Sequence, residues 1–245
     1  MKINHPTYQE LLNNINDIKK YFKVDFFDVP AEDFKLVKFS NNLANNFPLI
    51  VIMAGCHGEE PASVLAIFKY YKSIAEFAKK QGVNLVIYPL VNPWGFDRNE
   101  RFNSKGISCN SNWIHAVEGE IFATESSIIR NDLIKLKPKI FISLHEDAKI
   151  EKEFYIYTFG DKKYEEPLLK VGKQYFPILK EKMCYGTLIK NGIGYNHHDG
   201  TAEDLMFHQG CVFSCCTETS THQPIEKRMD CAKDLILKAI ELTKI

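Results

Sequence analysis

A histidine and a glutamate follow an apolar run in the segment VIMAGCHGEE. His57 and Glu60 lie three residues apart there, directly before Pro61. At the start of a helix this one-turn spacing can direct an imidazole and a carboxylate at one point. The pair could bind a metal or exchange protons with a substrate. Glu60 could also simply be an acid at a helix N-terminus, where the helix dipole favours it.

Three further apolar runs end in ionisable side chains. PKIFISL runs into His145, GCVFSCC runs into Glu218, and NLVIYPLV runs into Arg98 and Arg101. In an open α/β sheet, ligands bind in the crevice outside the carboxyl ends of the strands. The four segments are therefore predicted to assemble one site.

His57, Glu60 and His145 have the residue types of a catalytic zinc site. Such a site commonly takes three His or Glu ligands and leaves a fourth position for water. Each residue also has an ordinary explanation, since HxxE occurs by chance and His145 could be a core histidine. Their joint occurrence at strand ends favours one zinc ion per chain.

The elements that must position these residues alternate along the chain. Helices are predicted at 7–22, 61–80, 121–136, 166–182 and 224–245, and strands at 34–40, 47–55, 84–91, 138–144, 153–159 and 210–218. Helices between strongly apolar strands are typical of a largely parallel sheet covered on both faces. The predicted fold is a single-domain, three-layer α/β/α sandwich with a mixed, largely parallel central sheet.

Composition limits the classes of partner. With 245 residues, 45% hydrophobic and 25% charged, the chain can bury one sizeable core, and residues 1–245 are predicted to form one domain. Thirty-one basic and 31 acidic residues balance, which indicates neither a nucleic-acid nor an anionic-membrane surface. No run approaches the roughly 18 apolar residues of a membrane span, and the N-terminus lacks the apolar core of a signal peptide. We expect a cytoplasmic protein with a small partner.

The seven cysteines form no CxxC pair, and Cys211, Cys215 and Cys216 lie within an apolar run. This pattern predicts reduced, packed thiols. A thiol-dependent hydrolase using Cys56 or Cys109 is an alternative that alkylation would reveal. Cys56 is disfavoured as the partner of His57, because sequence neighbours seldom face each other.

The order of four motifs resembles a known family. The motifs are HGEE, NPWGFDRNERFNSKGISCNSNW, SLHED and CTETS. Together they resemble the zinc carboxypeptidase family of carboxypeptidase A, which includes the succinylglutamate desuccinylase and aspartoacylase branch. The resemblance extends from about residue 48 to residue 220. It implies the family's fold, with His57, Glu60 and His145 as the zinc ligands.

The resemblance also implies catalytic roles. Glu218 matches the glutamate that takes a proton from the zinc-bound water as general base and delivers it to the leaving nitrogen. Arg101 matches the arginine that polarises the scissile carbonyl and stabilises its oxyanion. Without the other motifs, Glu218 and Arg101 could be a strand-end acid and a surface charge. Tyr195, in KNGIGYNHHDGTAED, is the candidate for the tyrosine that closes over the substrate.

One departure from the family pattern affects substrate binding. The family has an Asn-Arg pair that binds the terminal carboxylate, whereas this chain has Asn110 followed by Ser111. Losing that charge-assisted hydrogen bond would cost about 1.5–3 kcal/mol. Either another cation replaces the arginine, with Arg98, Arg130, Lys190, His197 and His198 as candidates, or the substrate carries no carboxylate at this position. We favour a relocated cation, because this chain keeps Asn110. His197 and His198 with Asp199 could instead form a second metal site.

The leading prediction is a zinc-dependent hydrolase of the metallocarboxypeptidase type that cleaves an amide bond in a small peptide or peptide-like substrate. One alternative is a deacylase of N-acyl amino acids, as in the desuccinylase and aspartoacylase branch. A second alternative is a catalytically inactive binding module, which should have lost a metal ligand or Glu218. This sequence keeps all four residues.

Overall fold

The structure is a computed structural model that describes residues 5–41, 44, 46–114 and 122–245. Within these residues ten strands, β1 to β10, span Lys23–Asp28, Lys35–Ser40, Leu49–Ala54, Asn84–Tyr88, Ile140–Asp147, Phe154–Gly160, Glu181–Cys184, Thr187–Lys190, Ile193–Tyr195 and Phe213–Ser220. Helices α1 to α8 span Tyr8–Leu12, Ile15–Ile18, Pro61–Gln81, Pro93–Phe96, Thr124–Leu133, Glu165–Tyr175, Ala202–His208 and Ile225–Leu242.

All ten strands belong to one mixed sheet in the order β1-β2-β4-β3-β5-β10-β6-β9-β8-β7. The four central strands, β4, β3, β5 and β10, pair parallel to one another. On either side, β2 and β6 pair antiparallel to this group. The predicted mixed sheet with a parallel centre is confirmed, and the carboxyl ends of β3, β5 and β10 lie along one edge.

Helices cover both faces of the sheet. Alternate residues of β3 belong to different hydrophobic clusters, since Ile50 and Ile52 pack with α3 and α8 while Val51 and Met53 pack with α5 and α7. This alternation is what a strand buried on both faces requires. The three-layer α/β/α architecture predicted from the apolar runs is therefore present.

Several element boundaries differ from the prediction. The helix predicted at 7–22 divides into α1 and α2 around Asn13 and Asn14, where asparagine competes with helical hydrogen bonding. The helix predicted at 166–182 ends at Tyr175, because Phe176 precedes Pro177 and takes an extended conformation. The helix predicted at 121–136 is described as α5, and residue 121 lies outside the described residues.

The outer strands β1, β7, β8 and β9 were not predicted. Three of them, β1, β7 and β8, carry exposed charged residues, as in EKMC and TLIK, and β9 has only three residues. None therefore has the continuous apolar run of a central strand. All seven cysteines are buried and none forms a disulfide, as predicted. None of the helices in the described part of the chain has the length and apolarity needed to cross a membrane.

Candidate metal centre and active site

Two histidines and one glutamate converge beyond the carboxyl ends of β3 and β5. The Nδ1 atom of His57 lies 2.6 Å from Oε1 of Glu60, and Nδ1 of His145 lies 2.9 Å from Oε2 of the same carboxylate. One ligand atom from each of the three residues lies within 4.8 Å of the others, and all three side chains are buried. Sequence analysis predicted this grouping.

The fold brings these ligands together for identifiable reasons. His57 lies in the loop after β3, and Glu60 takes the N-cap position of α3 without bonding the helix by its side chain. Its carboxylate is therefore free to face both histidines. The side chain of Glu146 accepts a hydrogen bond from the backbone N–H of Ala62 instead, at 2.7 Å. Glu146 also forms a buried ion pair with Arg228.

The loop carrying His57 packs against the NPWG segment. A Cβ atom added to Gly58 would lie 1.9 Å from the carbonyl carbon of Gly95, so this backbone approach requires glycine. Asn92 accepts a hydrogen bond from the Gly95 N–H at 2.9 Å and donates one to the Arg101 carbonyl at 3.2 Å. NPWG therefore positions both the ligand loop and Arg101.

The three residues fit a zinc ion. If Nδ1 of His145 binds the metal, its other nitrogen, Nε2, donates to Oγ of Ser143 at 2.8 Å. A second hydrogen bond of this kind is usual for metal-binding histidines, because it fixes the ring and its tautomer. The backbone N–H of Glu146 donates to Oε2 of Glu60 at 3.2 Å. Two imidazoles and a carboxylate are also a donor set that zinc accepts.

The two histidines stabilise the ionised form of Glu60. Burial raises the pKa of Glu60, but His57 and His145 oppose it and hold that pKa below its usual range. Glu60 is therefore ionised, as a metal ligand must be. The guanidinium of Arg101 lies 3.5 Å from Oε1 of Glu60 and 3.2 Å from Oε1 of Glu59. A cation is thus held at the edge of the centre.

Glu218 lies on β10 directly beside His145, its parallel partner on β5. Its Oε2 atom is buried without a hydrogen-bond partner among the described residues, and Oε1 is 3.5 Å from Sγ of Cys216. Burial raises the pKa of Glu218 well above its usual value, with Glu60 adding to the shift and His145 opposing it. A buried carboxyl group with an unused oxygen is chemically poised to accept a proton or a donor.

These residues face a small pocket of about 80 Å³. Its walls are His57, Arg101, Asn110, Tyr157, Tyr185, His197, Asp199, Glu203, Cys216 and Glu218. Six of the residues singled out from the sequence line it: His57, Arg101, Asn110, His197, Asp199 and Glu218. Glu60 and His145 are buried and do not line it.

Tyr195, Arg98 and Ser111 are not among the pocket-lining residues, and their roles in substrate binding stay predictions. The hydroxyl of Tyr195 donates to Oε2 of Glu165 at 3.1 Å, and Lys162 lies over its ring. Arg98 stacks on Trp94, with its guanidinium carbon 4.3 Å from the ring centroid. Both side chains therefore have local partners outside the pocket lining.

Two other tyrosines line the pocket instead. Tyr157 lies on β6, and Tyr185 lies in the turn between β7 and β8. The hydroxyl of Tyr185 donates to Oδ1 of Asp147 at 3.2 Å. No motif indicated either tyrosine. Tyr157 lies on the predicted strand β6, whereas the position of Tyr185 depends on how the unpredicted hairpin of β7 and β8 packs.

Of the five candidates for a replacement cation, only His197 lines the pocket. Its ring stacks on Tyr157, with centroids 4.4 Å apart. Nδ1 pairs with Oγ1 of Thr187 at 2.6 Å, and Nε2 pairs with Oδ2 of Asp199 at 2.9 Å. Both ring nitrogens of His197 therefore already have partners. Arg130 donates to the Trp113 carbonyl at 2.6 Å.

Sequence analysis also missed Glu203, a buried carboxylate on α7 that lines the pocket. Its Oε2 atom has no hydrogen-bond partner among the described residues, and burial raises its pKa to about 7. Its sequence context, the segment KNGIGYNHHDGTAED, gave no signal of burial. The thiols of Cys56 and Cys109 are also buried, and burial raises their pKa, which disfavours a thiol nucleophile.

No family model and no curated protein sequence matches the chain, but solved structures do. A Shewanella baltica OS155 protein named "Putative metallopeptidase" shares 23% identity with a TM-score of 0.87, over 96% of this chain and 91% of that one. The metallo-carboxypeptidase of Burkholderia cenocepacia shares 14% identity with a TM-score of 0.75, over 98% and 69%.

A third similar structure is the metallo-carboxypeptidase of Pseudomonas aeruginosa in complex with (2-guanidinoethylmercapto)succinic acid. It shares 12% identity with a TM-score of 0.68, over 98% of this chain and 69% of that one. The three matches confirm the fold that the motifs implied, which is that of the zinc carboxypeptidases.

Proposed function

We propose that this chain is a zinc-dependent hydrolase that cleaves an amide bond in a small peptide or peptide-like substrate. The observation that carries the proposal is the position of Glu218, a buried carboxyl group with an unpartnered oxygen beside the His57, Glu60 and His145 cluster. The fold shared with metallo-carboxypeptidases supports the same reaction class.

The two histidines and Glu60 would hold the zinc ion. When bound, zinc polarises a carbonyl group and lowers the pKa of a water molecule. Glu218 then takes a proton from the attacking water and delivers it to the leaving nitrogen. The guanidinium of Arg101 stabilises the negative charge that develops on the carbonyl oxygen.

The charges of the pocket favour a substrate with a cationic group. Asp199 pairs with His197, and Arg101 pairs with Glu59, which leaves the carboxyl groups of Glu203 and Glu218 in the pocket lining without an ion pair to any described residue. A buried carboxylate oxygen without a partner is costly, and an ammonium or guanidinium group would relieve that cost at Glu203. The Pseudomonas neighbour binds a guanidino compound, which is ligand chemistry of this class.

Substrate preference tests this proposal. We expect the zinc-loaded protein to hydrolyse an N-acylated dipeptide ending in lysine with a kcat/KM about 10- to 100-fold above that for the matched norleucine peptide, which corresponds to one charge-assisted hydrogen bond. Glu203→Gln should remove the preference while leaving hydrolysis of the norleucine peptide largely unchanged. Steady-state kinetics on both substrates measures this preference.

Glu165→Gln is a matched control, because Glu165 is buried but bonds Thr158 and Tyr195 rather than lining the pocket. The control should keep the lysine preference. Equal rates on the two peptides with the parent protein would refute the cationic substrate. Failure of the zinc-loaded parent to cleave any small amide in a broader panel would refute the hydrolase itself.

A C-terminally amidated lysine peptide decides whether the enzyme recognises a terminal carboxylate. Ser111 does not line the pocket, and Arg101 and His197 have acidic partners. Similar rates on the free acid and the amide would mean that "carboxypeptidase" is the wrong name. A strong preference for the free acid would assign carboxylate binding to Asn110 with Arg101 or His197.

A further inference from the structure

A second cluster of metal-binding side chains lies on the outer side of α7. His198, Asp204 and His208 place one ligand atom each within 4.8 Å of one another. Asp204 and His208 are one helical turn apart on α7, and His198 reaches them from the preceding loop. His198 and His208 do not line the pocket, and the proposed reaction uses none of the three residues.

We propose that His198, Asp204 and His208 form a second metal site that binds a divalent transition metal such as zinc. Two imidazoles and one carboxylate suit zinc and its neighbours among the divalent metals. This donor set is the same as that of His57, Glu60 and His145, but it lies at the surface rather than in the interior.

The distances in the two clusters correspond. In the outer cluster, Oδ1 of Asp204 lies 2.7 Å from Nδ1 of His198 and 3.4 Å from Nε2 of His208. In the inner cluster the corresponding separations are 2.6 and 2.9 Å. Tetrahedral zinc with bonds of about 2.1 Å separates its ligand atoms by about 3.4 Å. To bind zinc, the outer cluster therefore needs only a small increase in the distance between Oδ1 of Asp204 and Nδ1 of His198.

The surroundings fix the carboxylate and leave the histidines accessible. Asp204 is 2% exposed at its side chain, and its other oxygen accepts the Gly200 N–H at 3.2 Å. The side chains of His198 and His208 are 47% and 53% exposed. An ion can therefore reach the cluster from solvent and keep water as a further ligand, while the buried carboxylate supplies a fixed negative charge.

An ordinary surface ion pair does not account for this arrangement. Such a pair, including one spaced by four residues on a helix, contributes less than about 1 kcal/mol and joins one cation to one acid. Here two imidazoles face the same buried oxygen, Oδ1 of Asp204. The ring of His198 also packs on Phe159, with centroids 5.1 Å apart, which limits its freedom before any ion binds.

The outer site adjoins the pocket, because a pocket-lining residue precedes one of its ligands both in the loop and on α7. His197 precedes His198 in the loop, and Glu203 precedes Asp204 on α7, and both line the pocket. A metal at the outer site would join the loop to α7 and hold these two pocket residues in a fixed relation. The outer site rests on its own geometry, however, and not on the proposed function.

Zinc titration of the full chain tests the site. Isothermal titration of the chelator-stripped protein should show two equivalents of zinc. His198→Ala and His208→Ala should each weaken the second equivalent by more than the 10- to 100-fold that is typical of altering a metal's outer partners, with the first equivalent retained. His222→Ala is the matched control, since His222 is an exposed histidine that contacts the Ala148 carbonyl, and it should keep both.

Zinc binding at the outer site can be measured separately from zinc binding at the inner site. His57→Ala should lose the inner equivalent and keep the outer one, whatever the protein's enzymatic activity. Circular dichroism should show unchanged folding for the two outer variants, because both histidines are exposed. Loss of all zinc binding in His57→Ala, or a second equivalent that persists unchanged in both outer variants, would overturn the proposal.

Discussion

Glu218→Gln should retain the metal and the fold but lose nearly all hydrolysis. Glutamine preserves the shape of the side chain but cannot accept a proton from the attacking water. Loss of a general base typically costs about 10²- to 10⁴-fold in rate. We expect kcat to fall by this factor with zinc content unchanged, as measured by steady-state kinetics and by elemental analysis of the same samples.

Two further variants provide comparisons for this result. Arg101→Ala should also retain zinc but slow turnover by about 100-fold, the typical effect of removing one donor to the oxyanion. Glu165→Gln removes a buried carboxylate outside the pocket and should remain active. If Glu218→Gln were as active as the parent on a substrate that the parent cleaves, another residue would have to act as the base.

The second large effect is expected from His145→Ala and His57→Ala. A site with three protein ligands usually loses most of its metal affinity when one is removed. We therefore expect zinc at the inner site to fall to background in both variants, and hydrolysis with it. Equilibrium dialysis against buffered zinc, followed by elemental analysis, gives the stoichiometry.

His145 is fully buried, so its removal could also destabilise the fold. Thermal unfolding in the presence of chelator separates the two effects, because metal binding cannot contribute there. His57→Ala is the second variant for the same reason, since His57 lies in a loop rather than in a central strand. Retention of the inner zinc equivalent by both variants would remove these histidines from the ligand set.

The core of the site could be predicted because its residues follow long apolar strands. His145 and Glu218 lie side by side on β5 and β10, and His57 follows β3 in the same parallel group. The carboxyl ends of parallel strands share one edge of a sheet. Knowing that four apolar runs end in polar residues was therefore enough to place these side chains near one another.

The substrate side of the pocket could not be predicted in the same way. Tyr195 was chosen by its distance in sequence from Glu218, but that distance does not determine which way a side chain on the short strand β9 points. Glu203 lies in the polar segment KNGIGYNHHDGTAED, which has no apolar pattern, and it becomes buried because α7 packs on β10 and β5. The position of Tyr185 depends on the hairpin of β7 and β8, a charged hairpin at the edge of the sheet that has no apolar pattern.

The most direct test of the account is to locate zinc in crystals of the zinc-loaded protein by anomalous scattering at the zinc edge. We expect a strong peak at coordination distance, about 2.0–2.2 Å, from Nδ1 of His57, the carboxylate of Glu60 and Nδ1 of His145. Zinc-loaded crystals without a peak between these three residues would contradict it.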